Sequence, residues 1–247
     1  MSNLSDIGFP AQTGKEYGQL IALVATDGEK IPCAKGAYIK YSDPSGAELY
    51  CQLNKKNEIL GMNPYFNGKS RFEAALTSQV NRSESALDGA FHGWAAPKNE
   101  DPESGDYPFV VDLPDFYTLS PINFPTKVTL QLSAFAQSEF ELFKSEEEFN
   151  AQQKEGIKFG SQSFVSIGLF SNKEDNAAPE AYALINGVVL EWEKKVNKKT
   201  GNEFYWMLLQ TQGGQIDAIA DPKLIKYDPV KGTIVSGEFW LSGKILN

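Results

Sequence analysis

At 247 residues the chain can bury a sizeable core, and it suits one large domain or two small ones. Apolar residues make up 41% and charged residues 22%, ordinary for a soluble globular protein, while two cysteines, Cys33 and Cys51, exclude a disulfide framework or a cysteine zinc site. Thirty-two acids against 23 bases give a net charge of -9, which if spread evenly would repel phosphate backbones and anionic membranes.

The charge is not spread evenly. Residues 98–155 carry 12 acids and 4 bases, whereas 181–247 carry 7 and 8, so net charge alone does not exclude a nucleic-acid surface near the C-terminus. The start, "MSNLSDIGFP", lacks the basic and apolar runs of a signal peptide. No window approaches the roughly 18 apolar residues of a membrane span. A cytoplasmic protein with no membrane partner is therefore expected.

Taken in order, the first strand signals are "GAYIKY" (36–41), "AELYCQL" (47–53), "NEILGMNP" (57–64) and "LDGAFHGW" (87–94). "KNEDPESGDYP" (98–108) reads as a linker. "KVTLQLSAF" (127–135) alternates Val128, Leu130 and Leu132 with Thr129 and Gln131, as a half-buried strand does, and "EFELF" (139–143) reads as its hairpin partner. "SEEEFNAQQKE" (145–155) has a capping-box start, with Ser145 as cap and Glu148 reaching back. "QSFVSIGLF" (162–170) is a further strand.

Four more strands follow, at 185–193, 202–211, 214–220 and 232–246. Gly213-Gly214 supplies the turn before the third, and Asp221-Pro222 ends it. "PKLIKYDP" leaves room for one helical turn. These last strands echo the first ones in order: "GAYIKY" with "GVVLEW", "AELYCQL" with "NEFYWML", "NEILGMNP" with "GQIDAIADP", and "LDGAFHGW" with "VSGEFWLSG". "GKEYG" (14–18) echoes "GIKFG" (156–160) in the same way. An internal duplication is the reading that follows.

The run "GVVLEW … GNEFYWMLLQTQGGQID", with its helical turn and final strand, resembles the OB-fold barrel, most closely the anticodon-binding type. The resemblance covers 185–246 and, more faintly, 36–94. It implies a mostly β protein of two related OB-like barrels with an acidic α+β insert: a first unit at 1–97, linker and insert at 98–155, and a second unit at 156–247.

Catalytic constellations are scarce. The single histidine, His92, lies at a strand end in "AFHGWAAP" and reads as a surface or structural residue. There is no phosphate-cradling glycine loop, HExxH or CxxC motif. Asp217 and Asp221 could hold a cation, but they read as solvated outward residues opposite Ile216, Ala218 and Ala220. Glu146, Glu147 and Glu148 read as a helix start. No cofactor or metal is expected.

What remains is "KKVNKK". Lys194, Lys195, Lys198 and Lys199 fall in the connection between the first two strands of the second unit, and Trp192, Tyr205 and Trp206 adjoin them. In OB-like folds that connection is one of the loops that clasp oligonucleotides or sugars. Lysines would track phosphates while bases stack on the rings. A non-enzymatic binding protein for single-stranded nucleic acid is the leading expectation. A protein–protein adaptor or homo-oligomerising subunit is the alternative, because strand 202–211 is apolar on both faces and needs a cover. A hydrolase using scattered carboxylates comes third.

Overall fold

The computed structural model describes residues 3–82, 86–98, 101, 104–153, 156, 158–169 and 178–246. Parts of the expected linker, the end of the 145–155 segment, one residue of "GIKFG" and Phe170 fall outside the described residues.

The chain opens with helix α1 (Gly14–Asp27). Its capping box is complete: Thr13 accepts the Glu16 N–H, and the Glu16 carboxylate takes the Thr13 N–H at 2.9 Å. Leu20 and Val24 form its buried side. They pack on a four-strand antiparallel meander, β1 (Glu29–Cys33), β2 (Gly36–Ser42), β3 (Ala47–Asn54) and β4 (Ile59–Phe66).

The other ten strands form one sheet. They are β5 (Phe72–Asn81), β6 (Gly89–Ala95), β7 (Pro108–Asp112), β8 (Thr126–Ala136), β9 (Glu141–Phe143), β10 (Ser163–Ser166), β11 (Tyr182–Val196), β12 (Glu203–Thr211), β13 (Gly214–Ala220) and β14 (Ile234–Leu246), with helix α2 (Glu146–Gln152) after β9. The protein is mostly β, as expected.

The ladders close on themselves twice. β11, β12 and β13 are antiparallel neighbours; β13 runs parallel to β8, β8 antiparallel to β14, and β14 antiparallel back to β11. A second circuit runs β5–β6–β7, crosses from β7 to a parallel β14 at Asp112↔Ser242, and returns through β8 to β5. The β8–β14 ladder belongs to both circuits. One hydrophobic core runs through them, from Phe72, Phe109 and Leu130 to Met207, Ile216 and Phe239.

This ladder carries a local two-fold relation. A shift of 109 residues carries Leu132, Ser133 and Ala134 onto Leu241, Ser242 and Gly243. The register maps onto itself under that shift, because Leu132 pairs with Gly243, Ala134 with Leu241, and Ser133 with Ser242 at the centre. The surrounding elements correspond too. Each unit's first strand is bulged, between Leu76 and Ser78 or between Val189 and Glu191. Each has a 3-10 turn before its fourth strand, Phe116–Thr118 or Pro222–Leu224. Segments 72–136 and 182–246 thus follow the same strand scheme, and each contributes its last strand to the other's circuit.

That corrects the sequence reading in three places. The 36–66 stretch expected to mirror the C-terminal strands is a separate open meander. Strand 127–135, assigned to an insert, is central, and from Leu130 onward it is buried on both faces, with Leu130 and Leu132 0% and Gln131 3% exposed. Residues 141–143 of "EFELF" pair with β14 rather than β8. The α2 start behaves nearly as expected: Ser145 accepts the Glu148 N–H at 3.2 Å, but the Glu148 carboxylate reaches past the cap to the Lys144 N–H at 2.7 Å.

The cover over β12 is the N-terminal layer. Met207 and Leu209 point into the shared core, while Phe204, Trp206 and Leu208 meet Ile7, Phe9, Leu49 and Phe66 from the other side. Burying such side chains contributes roughly 1.5–3 kcal/mol each, which makes this contact a structural one.

Candidate functional site

The lysine-bearing turn between β11 and β12 is docked rather than free. Asn197, 0% exposed, shapes it: its Oδ1 accepts the N–H groups of Lys199 and Thr200, both at 3.1 Å, and its Nδ2 donates to Ile7 O at 3.0 Å. Asp43 accepts the Lys198 and Lys199 N–H groups, again at 3.1 Å. Burial works against the Asp43 charge, yet these bonds and those from Ser45 hold the carboxyl below its usual range. Thr200 Oγ1 and Asn202 Nδ2 both donate to Gly8 O.

The side chains around the turn are largely engaged. Lys194 Nζ lies 3.4 Å from Glu203, Lys195 Nζ 2.9 Å from Glu193, and Lys199 Nζ 2.9 Å from Asp27. The Lys198 side chain is exposed. Trp206 is 3% exposed and its indole donates to Asp217 at 2.7 Å. Tyr205 is 5% exposed and donates its hydroxyl to Asp228. Trp192 is half-buried and stacks on Tyr205, ring centres 6.2 Å apart. The structure does bring the seven residues into one neighbourhood, but Tyr205 and Trp206 present no open face on which a base could stack.

The carboxylates gave the weakest sequence signal and the largest surprise. Asp217 is not solvated but 0% exposed. It accepts from Lys69 N, Ser70 N, Gln131 Nε2 and Trp206 Nε1 at 3.1, 2.9, 2.7 and 2.7 Å. Asp221 caps the following turn through Lys223 N at 2.9 Å. No group of three or more metal-ligating side chains occurs among the described residues. His92 sits half-buried on β6, with burial and Arg82 pushing its pKa down. Both cysteines are unpaired.

One open depression lies on the outer face of the β10–β11–β14–β9 strip. It encloses about 240 Å³, with Ser163, Val165, Leu184, Asn186 and Ser236 as floor and Phe143, Phe149 and Phe159 as wall. Strand pairing sets this floor: Asn186 lies opposite both Ser163 and Ser236, and Leu184 opposite Val165. Phe159 and Leu184 are each 42% exposed and Val165 36%. Gln153 brackets Phe159, accepting its N–H at 2.7 Å and donating to its carbonyl at 3.0 Å. Glu141 lines the depression, and α2, which contributes Phe149 and Gln152 to it, begins with Glu146, Glu147 and Glu148. Among the described residues no lysine or arginine lines it. Sequence reading missed this surface because its members come from four strands, helix α2 and the segment around Phe159, which only the folded sheet brings together.

No helix among the described residues is long and apolar enough to cross a membrane. No family model, curated protein or solved structure matches the chain.

Proposed function

We propose that this is a non-enzymatic binding protein built on two OB-like barrels that share strands, and that its ligand is a polypeptide segment with apolar side chains beside basic ones. The strand order within each circuit, first–second–third with the third parallel to a strand that pairs the fourth, supports the OB-like description. Fold alone does not set the ligand.

The observation that carries the reading is the cluster of Phe159, Val165 and Leu184 on one neutral, amide-lined floor beside an acidic helix start. At about 240 Å³ the depression is smaller than the usual 300–1,000 Å³ ligand pocket, so it suits two or three side chains of a docked chain better than an enclosed metabolite. Glu141, the charged residue among the described lining, disfavours phosphate and complements lysine or arginine. Nucleic acid, by contrast, would have to displace the carboxylate partners of Lys194, Lys195 and Lys199 and would find only Trp192 partly open.

Fluorescence anisotropy with labelled probes tests this. A peptide alternating leucine and lysine should bind, weaken as salt rises, and lose at least tenfold in affinity against the Leu184→Asn variant. A leucine–glutamate peptide and a single-stranded oligonucleotide should bind far more weakly. Tighter binding of the oligonucleotide, or equal binding by the Leu184→Asn variant, would overturn the proposal.

A further inference from the structure

The two related units differ at one equivalent place. In the second unit Ser133 and Asp217, partners across the parallel β8–β13 pairing, hold a piece of the chain's own backbone. Ser133 Oγ donates to Phe66 O at 2.7 Å, and the Lys69 and Ser70 N–H groups donate to Asp217. Gly68 lies between them so closely that a Cβ there would stand 2.2 Å from the Asp217 carboxylate. The site is a cradle for a carbonyl and adjacent amide N–H groups, with glycine at the point of closest approach.

The counterpart pair in the first unit is Ser242 and Asp112, across the parallel β7–β14 pairing. Trp240, two residues before Ser242 as Gln131 is before Ser133, donates its indole N–H to Asp112 at 2.7 Å where Gln131 Nε2 donates to Asp217 at 2.7 Å. Arg82 takes the role of the backbone amides, donating to Asp112 Oδ1 from Nε at 3.2 Å and from Nη2 at 2.6 Å. Its remaining nitrogen donates to Pro179 O. Over Ser242, however, there is a cavity of about 110 Å³, lined among others by Asn63, Asp88, Asp112, Trp240 and Ser242. Ser242 is 1% exposed, and its hydroxyl is the one buried side-chain group without a hydrogen-bond partner among the described residues. A buried hydroxyl left unmade costs about 1–3 kcal/mol, so an occupant that completes it is favoured.

We infer that the Ser242–Asp112 cavity is a binding site for a small amide, a primary carboxamide or a peptide unit at glycine. Ser242 offers a donor for the carbonyl oxygen, as Ser133 does for Phe66. Asp88, which accepts from Asn63 Nδ2 at 2.9 Å, has a second carboxylate oxygen for the amide N–H. Two carboxylates against one spent guanidinium exclude anions. The site stands on a different part of the surface from the apolar depression and does not depend on it.

The test follows the Trp240 indole N–H resonance, assigned with Trp240→Phe, while acetamide, N-acetylglycinamide, acetate or methylammonium is titrated into the full chain. Saturable shifts with both amides and none with acetate are expected. Acetamide alone would mark a side-chain carboxamide, and N-acetylglycinamide alone a peptide unit. Ser242→Ala should weaken binding about five- to tenfold, the loss of one hydrogen bond, whereas Ser133→Ala, in the filled counterpart, should leave it unchanged. No saturable amide shift (water as the only occupant), preference for methylammonium, or full affinity in Ser242→Ala would each overturn the inference. If Ser242→Ala does not fold, the amide-over-acetate and amide-over-methylammonium preferences of the unaltered chain still decide.

Discussion

The segments 72–136 and 182–246 repeat one ladder scheme, yet they are finished differently. The second has its outer face sealed by the N-terminal layer, and its central carboxylate, Asp217, is saturated by four donors. The first leaves Asp112 with side-chain donors only, 22% of its own side chain exposed, beside a cavity. The chain's own backbone fills the Ser133–Asp217 cradle, whereas a cavity lies over Ser242 and Asp112.

The comparison can be stressed first through the seal. Asp6 is 2% exposed and accepts the Asp221 N–H at 2.9 Å, tying the N-terminal segment to the end of β13. Burial, aided by the Asp221 charge and opposed by that hydrogen bond, raises its pKa from 3.8 to about 8. The folded chain therefore keeps a proton that the unfolded chain releases. The stability this confers is complete below about pH 4, is lost as pH rises, and levels off above about pH 8. A shift of that size corresponds to on the order of 5 kcal/mol. Urea unfolding across that range should show the decline, and Asp6→Asn should flatten it.

A smaller effect separates the two carboxylates. Asp217→Ala orphans four buried donors and should cost about 4 kcal/mol, whereas Asp112→Ala should cost about half that, since Arg82 can turn toward water. Equal losses in denaturant unfolding would mean that the two cradles are equally closed. Smaller again is Gly68→Ala, which forces a methyl against the Asp217 carboxylate and should cost about 2 kcal/mol in the same measurement. No change there would show that the 66–70 segment is not held as tightly as the distances imply.

Much of the second unit was legible. The four C-terminal strands, the Gly213-Gly214 turn and the turn after Asp221-Pro222 all lie where apolar runs and glycines put them. Helix α1 was missed, since Gly14–Gly18 was read as an echo of another segment, although Thr13, Glu16 and the Leu20/Val24 spacing carry a helix signal. The strand scheme shared by 72–136 and 182–246 was not legible. The matching signal between β8 and β14 is little more than "LSA" against "LSG", and the 36–66 meander imitates it with equally apolar strands. Asp217 looked solvated because alternation marks which face a residue is on, and cannot say that a distant segment covers that face. Ser242 carried no signal at all, because a serine becomes notable only when its surroundings leave it without a partner.

The exchanged fourth strands make the two halves inseparable. Remove either half and the survivor loses a strand from the middle of its own ring, exposing a row of backbone donors and acceptors on both sides of the gap.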